Sequence, residues 1–199
     1  MNSKSVAIID GGGANIASLT FALARCGYEA LLTVDPQVIA AAGHVILPGV
    51  GAAEDSMNRL RAADLLELIP GLRQPVLGIC LGMQLFFDGS EENDTRCLGI
   101  FPGTAKMFEA GPDLPVPHMG WNQIERTRDS DLMQGIPDGS HFYFVHSYAL
   151  DVRADTLACT EYGRKFTAIA ERNNFAATQF HPERSGEFGA RLLQNFLRR

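Results

Sequence analysis

Basic residues are scarce and scattered in this chain: the 17 lysines and arginines form no cluster, and the net charge is −6. Nucleic-acid binding needs a concentrated basic surface, so that class of partner is excluded. No Cys-x-x-Cys pair occurs. The four cysteines, Cys26, Cys80, Cys97 and Cys159, fall at unrelated spacings, which speaks against a zinc site or a secreted disulfide framework and fits a reducing cytoplasmic compartment. No apolar run approaches the ~20 residues needed to span a bilayer. The segment from Met1 reaches Asp10 after only a few apolar positions, too few for a signal peptide. Tryptophan occurs once, at Trp121. There is no low-complexity tract, linker or repeat, and 199 residues suffice to bury a full core, so one domain spanning 1–199 is expected.

What is present in the first half is an alternation of strand and helix. Val6 to Ile9, Ala30 to Val34 and His44 to Leu47 read as strands. Asn15 to Cys26 reads as an amphipathic helix, with Ile16, Leu19, Leu23 and Cys26 near one face and Gly27 as its stop. Val38 to Ala41 reads as a helical turn, and Ala52 to Ile69 as one long helix ended by Pro70-Gly71. The pattern predicts an α/β fold with a doubly wound, mostly parallel sheet, whose ligands bind at the carboxyl ends of the strands. From about Ile100 onward short strand-like segments separated by turns at Pro112-Asp113, Pro137-Asp138-Gly139 and Glu161-Tyr162-Gly163 predict an antiparallel extension, closed by a helix over 186–197.

Three segments carry chemistry. Gly78-Ile79-Cys80-Leu81-Gly82 lies between the buried strand Pro75-Val76-Leu77 and the apolar segment Met83 to Phe87. A G-x-nucleophile-x-G pentapeptide at such a junction is the pattern of a nucleophile elbow. A helix N-terminus at Cys80 favours a thiolate. By itself the pentapeptide is equally satisfied by an inert buried cysteine. His181-Pro182-Glu183 supplies a base after the strand-like segment 175–180. The carboxylate two residues on can turn back to orient the imidazole. Alone, this tripeptide reads as a solvated loop; beside the elbow it reads as the remainder of a triad. Pro48-Gly49-Val50-Gly51 follows the strand Val45-Ile46-Leu47. Its backbone N–H groups, with that of Leu81, are the candidates for an oxyanion hole.

Together these segments resemble the triad-type (class I) glutamine amidotransferases, with Cys80, His181 and Glu183 as the triad. Within that family the match narrows to the glutaminase subunits of imidazole glycerol phosphate synthases. It rests on Ile9-Asp10 leading to Asn15, on Leu47 to Gly51, on Pro117-His118-Met119-Gly120-Trp121-Asn122, on Tyr143-Phe144-Val145-His146-Ser147-Tyr148, and on Gln179 to Ser185. The chain departs from the family at Gly11-Gly12-Gly13-Ala14, where an aromatic residue is more usual, and at Arg184, where many members carry lysine. A planar guanidinium and a point-charge ammonium are not interchangeable in a fitted site.

The resemblance implies a flavodoxin-like fold and glutamine hydrolysis to glutamate and ammonia through a γ-glutamyl thioester on Cys80, with His181 moving the proton. It places substrate contacts at Gln84, Glu92, Ser147 and Tyr148, and assigns Asn15, Trp121, Tyr143 and Arg184 to a partner interface and gate. Thiol and imidazole supply the chemistry, so no metal or organic cofactor is expected. The implied partner is a cyclase subunit, a (β/α)8 barrel that consumes the ammonia. Two other readings are an amidotransferase of the same class serving another acceptor, which the 117–122 and 143–148 segments oppose, and a catalytically silent regulatory subunit, which the intact triad opposes.

Overall fold

The computed structural model describes residues 5–12 and 16–199. The chain begins with β1 (Ser5–Ile9), α1 (Ile16–Arg25), β2 (Glu29–Thr33), α2 (Pro36–Ala41), β3 (His44–Gly49), α3 (Ala53–Ala62), α4 (Leu68–Gly71), β4 (Val76–Cys80) and α5 (Leu81–Leu85). It continues through β5 (Gly89–Ser90), β6 (Thr95–Arg96), β7 (Thr104–Met107), β8 (His118–Gln123), β9 (Glu125–Arg126), β10 (His141–His146), β11 (Tyr148–Ala149), β12 (Thr156–Tyr162), β13 (Arg164–Arg172) and β14 (Phe175–Thr178), and closes with α6 (Gly186–Phe196).

The main sheet has the order β2-β1-β3-β4-β14-β13-β12-β9. Its first five strands are parallel and the last three pair antiparallel, as the change of pattern along the sequence predicts. Strand periodicity sends alternate side chains to opposite faces. Val6 and Ile8 of β1 join one apolar cluster with Leu19 and Leu23 of α1 and Leu192 and Phe196 of α6. Ala7 and Ile9 join the other with Ile39, Met57, Leu60 and Met83 from α2, α3 and α5. Two smaller sheets, β10-β8 and β11-β7-β5-β6, stand beside the carboxyl ends of the parallel strands.

Local chemistry sets most boundaries. Asp35 caps α2, accepting from Gln37 N at 2.8 Å and Val38 N at 3.4 Å, with Pro36 at the first helical position. Helix α1 ends in a Schellman motif: Tyr28 N donates to Leu23 O and Gly27 N to Ala24 O, with Gly27 at φ +81°.

The long helix expected from Ala52 to Ile69 is instead broken. Leu65 N donates to Leu60 O and Asp64 N to Arg61 O, the same terminating motif with Asp64, at φ +58°, in the glycine's position. The buried Leu60 and Leu65 share one apolar cluster across the break. That contact supports a stop that the polar residue alone does not announce.

Candidate active site

Cys80 ends β4 and leads directly into α5 with φ +57° and ψ −113°. An L-residue reaches such a conformation only where its surroundings over-determine it, at a cost of order 1–3 kcal/mol. The elbow glycines permit it sterically. A Cβ on Gly82 would lie 1.8 Å from Leu47 O, and one on Gly78 would lie 2.7 Å from the Phe86 ring and 2.8 Å from Gly82 O. Helix α5 therefore rests backbone-to-backbone on β3. The register pairs Gly49 with Cys80, so the oxyanion candidates and the thiol emerge at one level of the sheet.

A cavity of about 300 Å³ opens there, and Val50, Gly51, Cys80, Leu81, Gln84, Glu92, Ser147, Tyr148 and His181 all line it. Gly49 does not; it stays buried in the β3 ladder. His181 arrives from the β14 side, and its Nδ1 is 2.9 Å from Glu183 Oε1, with both side chains at least nine-tenths buried. His181 Nε2 is buried without a hydrogen-bond partner, as is Glu183 Oε2. Burial alone would depress the imidazole, but its interactions with the Cys80 sulfur and Glu183 outweigh that and raise it to about 10. Thiol and imidazole are thus neighbours with no closed hydrogen bond. The thiol proton is instead directed at Val145 O, 3.6 Å away.

Strand β10 braces both groups. Tyr143 O accepts from His181 N at 3.0 Å, and Ser185 Oγ accepts from Tyr143 N at 3.0 Å while donating to His181 O at 2.6 Å. On the outer side of the β8–β10 ribbon Trp121 stacks edge-on against Tyr143, its register partner, with ring centroids 6.1 Å apart. The Arg184 guanidinium lies 4.4 Å over the Tyr143 ring. Trp121 is 57% and Met119 63% exposed, an apolar surface on an otherwise acidic chain. Asn15, assigned to the same interface, lies outside the described residues.

His146 also lines the cavity, but its hydrogen bonds fix it as a structural group. Its Nδ1 sits 2.8 Å from Tyr148 O, so that nitrogen is the donor. Its Nε2 must then accept from His118 Nδ1 at 3.1 Å. Burial drives His118 down to about 4 and His146 to about 3, so the pair is neutral at physiological pH.

The candidate substrate contacts have second commitments invisible in the sequence. Gln84 is buried and its Nε2 donates to Tyr148 O at 3.0 Å and to Gln179 Oε1 at 3.1 Å. The nitrogen end of the amide is therefore engaged within the protein. Glu92 Oε2 accepts from Ala53 N at 2.7 Å, capping α3, whose own N-cap residue, Ala52, has no side-chain acceptor. Val145, Ser185 and Gln179 were missed as site residues. All three lie inside the family-matching segments 143–148 and 179–185, the one signal that could have found them.

The family model for class I glutamine amidotransferases matches residues 7–199. The imidazole glycerol phosphate synthase subunit HisH of Xanthomonas axonopodis pv. citri is 50% identical over 192 residues, covering 96% of each chain. The subunit HisH 1 of Vibrio vulnificus is 45% identical over 203 residues, covering 99% of each. A solved glutamine amidotransferase superposes with a TM-score of 0.74 at 18% identity, covering 97% of each chain, a likeness that speaks to the fold alone. Elbow, sheet order and sequence identity agree: the chain belongs to the class I glutamine amidotransferases and, within them, to the HisH subunits of imidazole glycerol phosphate synthase.

Proposed function

We propose that this chain hydrolyses glutamine to glutamate and ammonia in histidine biosynthesis, and hands the ammonia to a cyclase subunit that forms imidazole glycerol phosphate and the aminoimidazole carboxamide ribotide. The observation that carries the reading is Cys80, held at φ +57° on an elbow in the same cavity as the buried His181–Glu183 pair. The thiolate attacks the side-chain amide carbon, forming the C–S bond. His181 protonates the departing nitrogen, and the C–N bond breaks to release ammonia. The imidazole then takes a proton from water, which attacks the thioester and expels the thiolate. Glu183 holds the imidazole by Nδ1 throughout.

Leu81 N–H and the N–H groups of Val50 and Gly51 are the oxyanion donors; Gly49 acts by anchoring that loop to β3. Glu92 takes the substrate's α-ammonium, Gln84 presents its carbonyl oxygen, and the Ser147–Tyr148 backbone receives the carboxylate. Asn15, Trp121, Tyr143 and Arg184 form the docking face for a (β/α)8-barrel cyclase. The whole chain serves as one cytoplasmic domain. Among the described residues no helix is long and apolar enough to cross a membrane.

The test is Cys80→Ala in the complex with the cyclase subunit. Glutamine-dependent synthesis should be abolished while ammonia-dependent synthesis persists. Retained glutamine hydrolysis would remove Cys80 from the mechanism.

A further inference from the structure

We propose that Gln179 is a further catalytic residue: its side-chain N–H faces the Cys80 sulfur and stabilises the thiolate that attacks the substrate. The proposal rests on Cys80 being the nucleophile. Gln179 lies between β14 and His181, and its side chain is fully buried. An amide presents a donor end and an acceptor end that look alike in outline, so its direction has to be deduced from its neighbours.

Here the neighbours fix it. Tyr148 O is a carbonyl and can only accept, so the end of Gln84 that lies 3.0 Å from it is the NH2 group. That same nitrogen lies 3.1 Å from Gln179, which must therefore present Oε1 to it. The remaining end of Gln179 is the donor, and it meets Cys80 Sγ at 3.9 Å. The Gln84 NH2 group thus donates both to Tyr148 O and to Gln179 Oε1, and Gln179 in turn donates to the sulfur.

The charge state of sulfur decides what this contact is worth. A neutral thiol is a weak acceptor, whereas a hydrogen bond to an ionised group is about twice as strong and favours the ionised form. Buried, Gln179 Nε2 has no water to turn to, so the polar end is compensated best when the sulfur is charged. The amide does not titrate. It supports the thiolate whether or not His181 carries a proton, both before attack and when the thioester expels the sulfur. His181 moves the proton, and Gln179 holds the charge.

The experiment is alkylation of the full-length chain by iodoacetamide across a pH series, with modification of each cysteine read by peptide mass spectrometry. In Gln179→Met, close in length and without a donor, the midpoint for Cys80 should move up by about one pH unit, slowing labelling at neutral pH about tenfold. Gln179→Glu keeps an acceptor for Gln84 but replaces the donor, and should move the midpoint at least as far. Labelling of Cys26, Cys97 and Cys159 should not change.

A folded variant of either kind whose Cys80 midpoint stays at the parent value overturns the proposal. Should neither variant fold, the side-chain amide of Gln179 in the 15N-labelled parent protein decides. Its resonance should titrate with the Cys80 midpoint and stop doing so in Cys80→Ala; a resonance that ignores the Cys80 titration also overturns the proposal. If Cys80 in the parent chain is labelled no faster than the other cysteines at any pH, the nucleophile assignment itself falls, and the proposal with it.

Discussion

Replacing Gly82 with alanine tests the elbow by adding a single methyl group. The new Cβ would sit 1.8 Å from Leu47 O and 2.8 Å from Leu47 C, so the two backbones must separate by roughly 1.6 Å to restore an ordinary contact. Leu47 cannot retreat freely, because β3 is hydrogen-bonded between β1 and β4 and Leu47 pairs with Gly78. Helix α5 must move instead. Overpacking typically costs about 1–3 kcal/mol, and a clash between two backbones belongs at or beyond the upper end. A domain with roughly 5–15 kcal/mol of total stability therefore loses a large share but can remain folded.

Cys80 is the residue before α5 and shifts with it, and a 1 Å misplacement of a reacting group costs on the order of 10²-fold in rate. The assay pairs urea unfolding with glutamine turnover in the cyclase complex. Gly71→Ala is the control: nothing lies within 4 Å of its added Cβ, and a compatible glycine-to-alanine change stabilises by about 0.4–1 kcal/mol. If Gly82→Ala matched this control in stability and kept parent turnover, the backbone-to-backbone contact would not be what positions the thiol.

The other predictions concern the two carboxylates at the site, Glu183 and Glu92. His181, raised to about 10 in the folded chain from an ordinary 6.5, contributes stability that is fully present below pH ~6.5 and is lost as the pH rises through about 10. Glu183→Gln removes one of the charges holding that proton, so urea stability should fall less between pH 7 and 10 than in the parent; equal slopes would refute the assignment. For Glu92, loss of the Ala53 N acceptor in Glu92→Ala should cost about 1 kcal/mol in thermal or urea unfolding and raise KM for glutamine. Glu92→Gln should keep most of the stability and still raise KM, and an unchanged KM in both would confine Glu92 to capping.

Those features that depend on neighbours in sequence were legible. The elbow glycines and the Gly27 helix stop each announce themselves within a few residues, and β1 and β3 show as short apolar runs; the second helix starts at Pro36, two residues before the Val38 the sequence suggests. The break at Asp64 was not, because an aspartate in the left-handed conformation lacks glycine's signal and is supported by the Leu60–Leu65 contact. Gln84 and Gln179 are separated by 95 residues, and His118 and His146 by 28. Which donor meets which acceptor across such spans is set by how sheets pack, and no local pattern records it. Glu92 was named only through the family resemblance, as a substrate contact, and its capping role was not legible, since the helix it caps begins 39 residues earlier.

Strand β10 is a wall one strand thick. Its carbonyls at Tyr143 and Val145 touch the histidine loop and the thiol, while the Tyr143 ring lies against Trp121 and Arg184 on the far side. Outer contour and inner alignment are thus written in the same three or four residues, and neither can drift alone. For redesign, a new docking surface is better built outward from Met119 and Trp121 on β8, which stands one ladder further from the sulfur, than by altering Tyr143 or Val145. Over generations, the same economy would make the outer face of this ribbon change slowly, held in place by selection on the chemistry behind it.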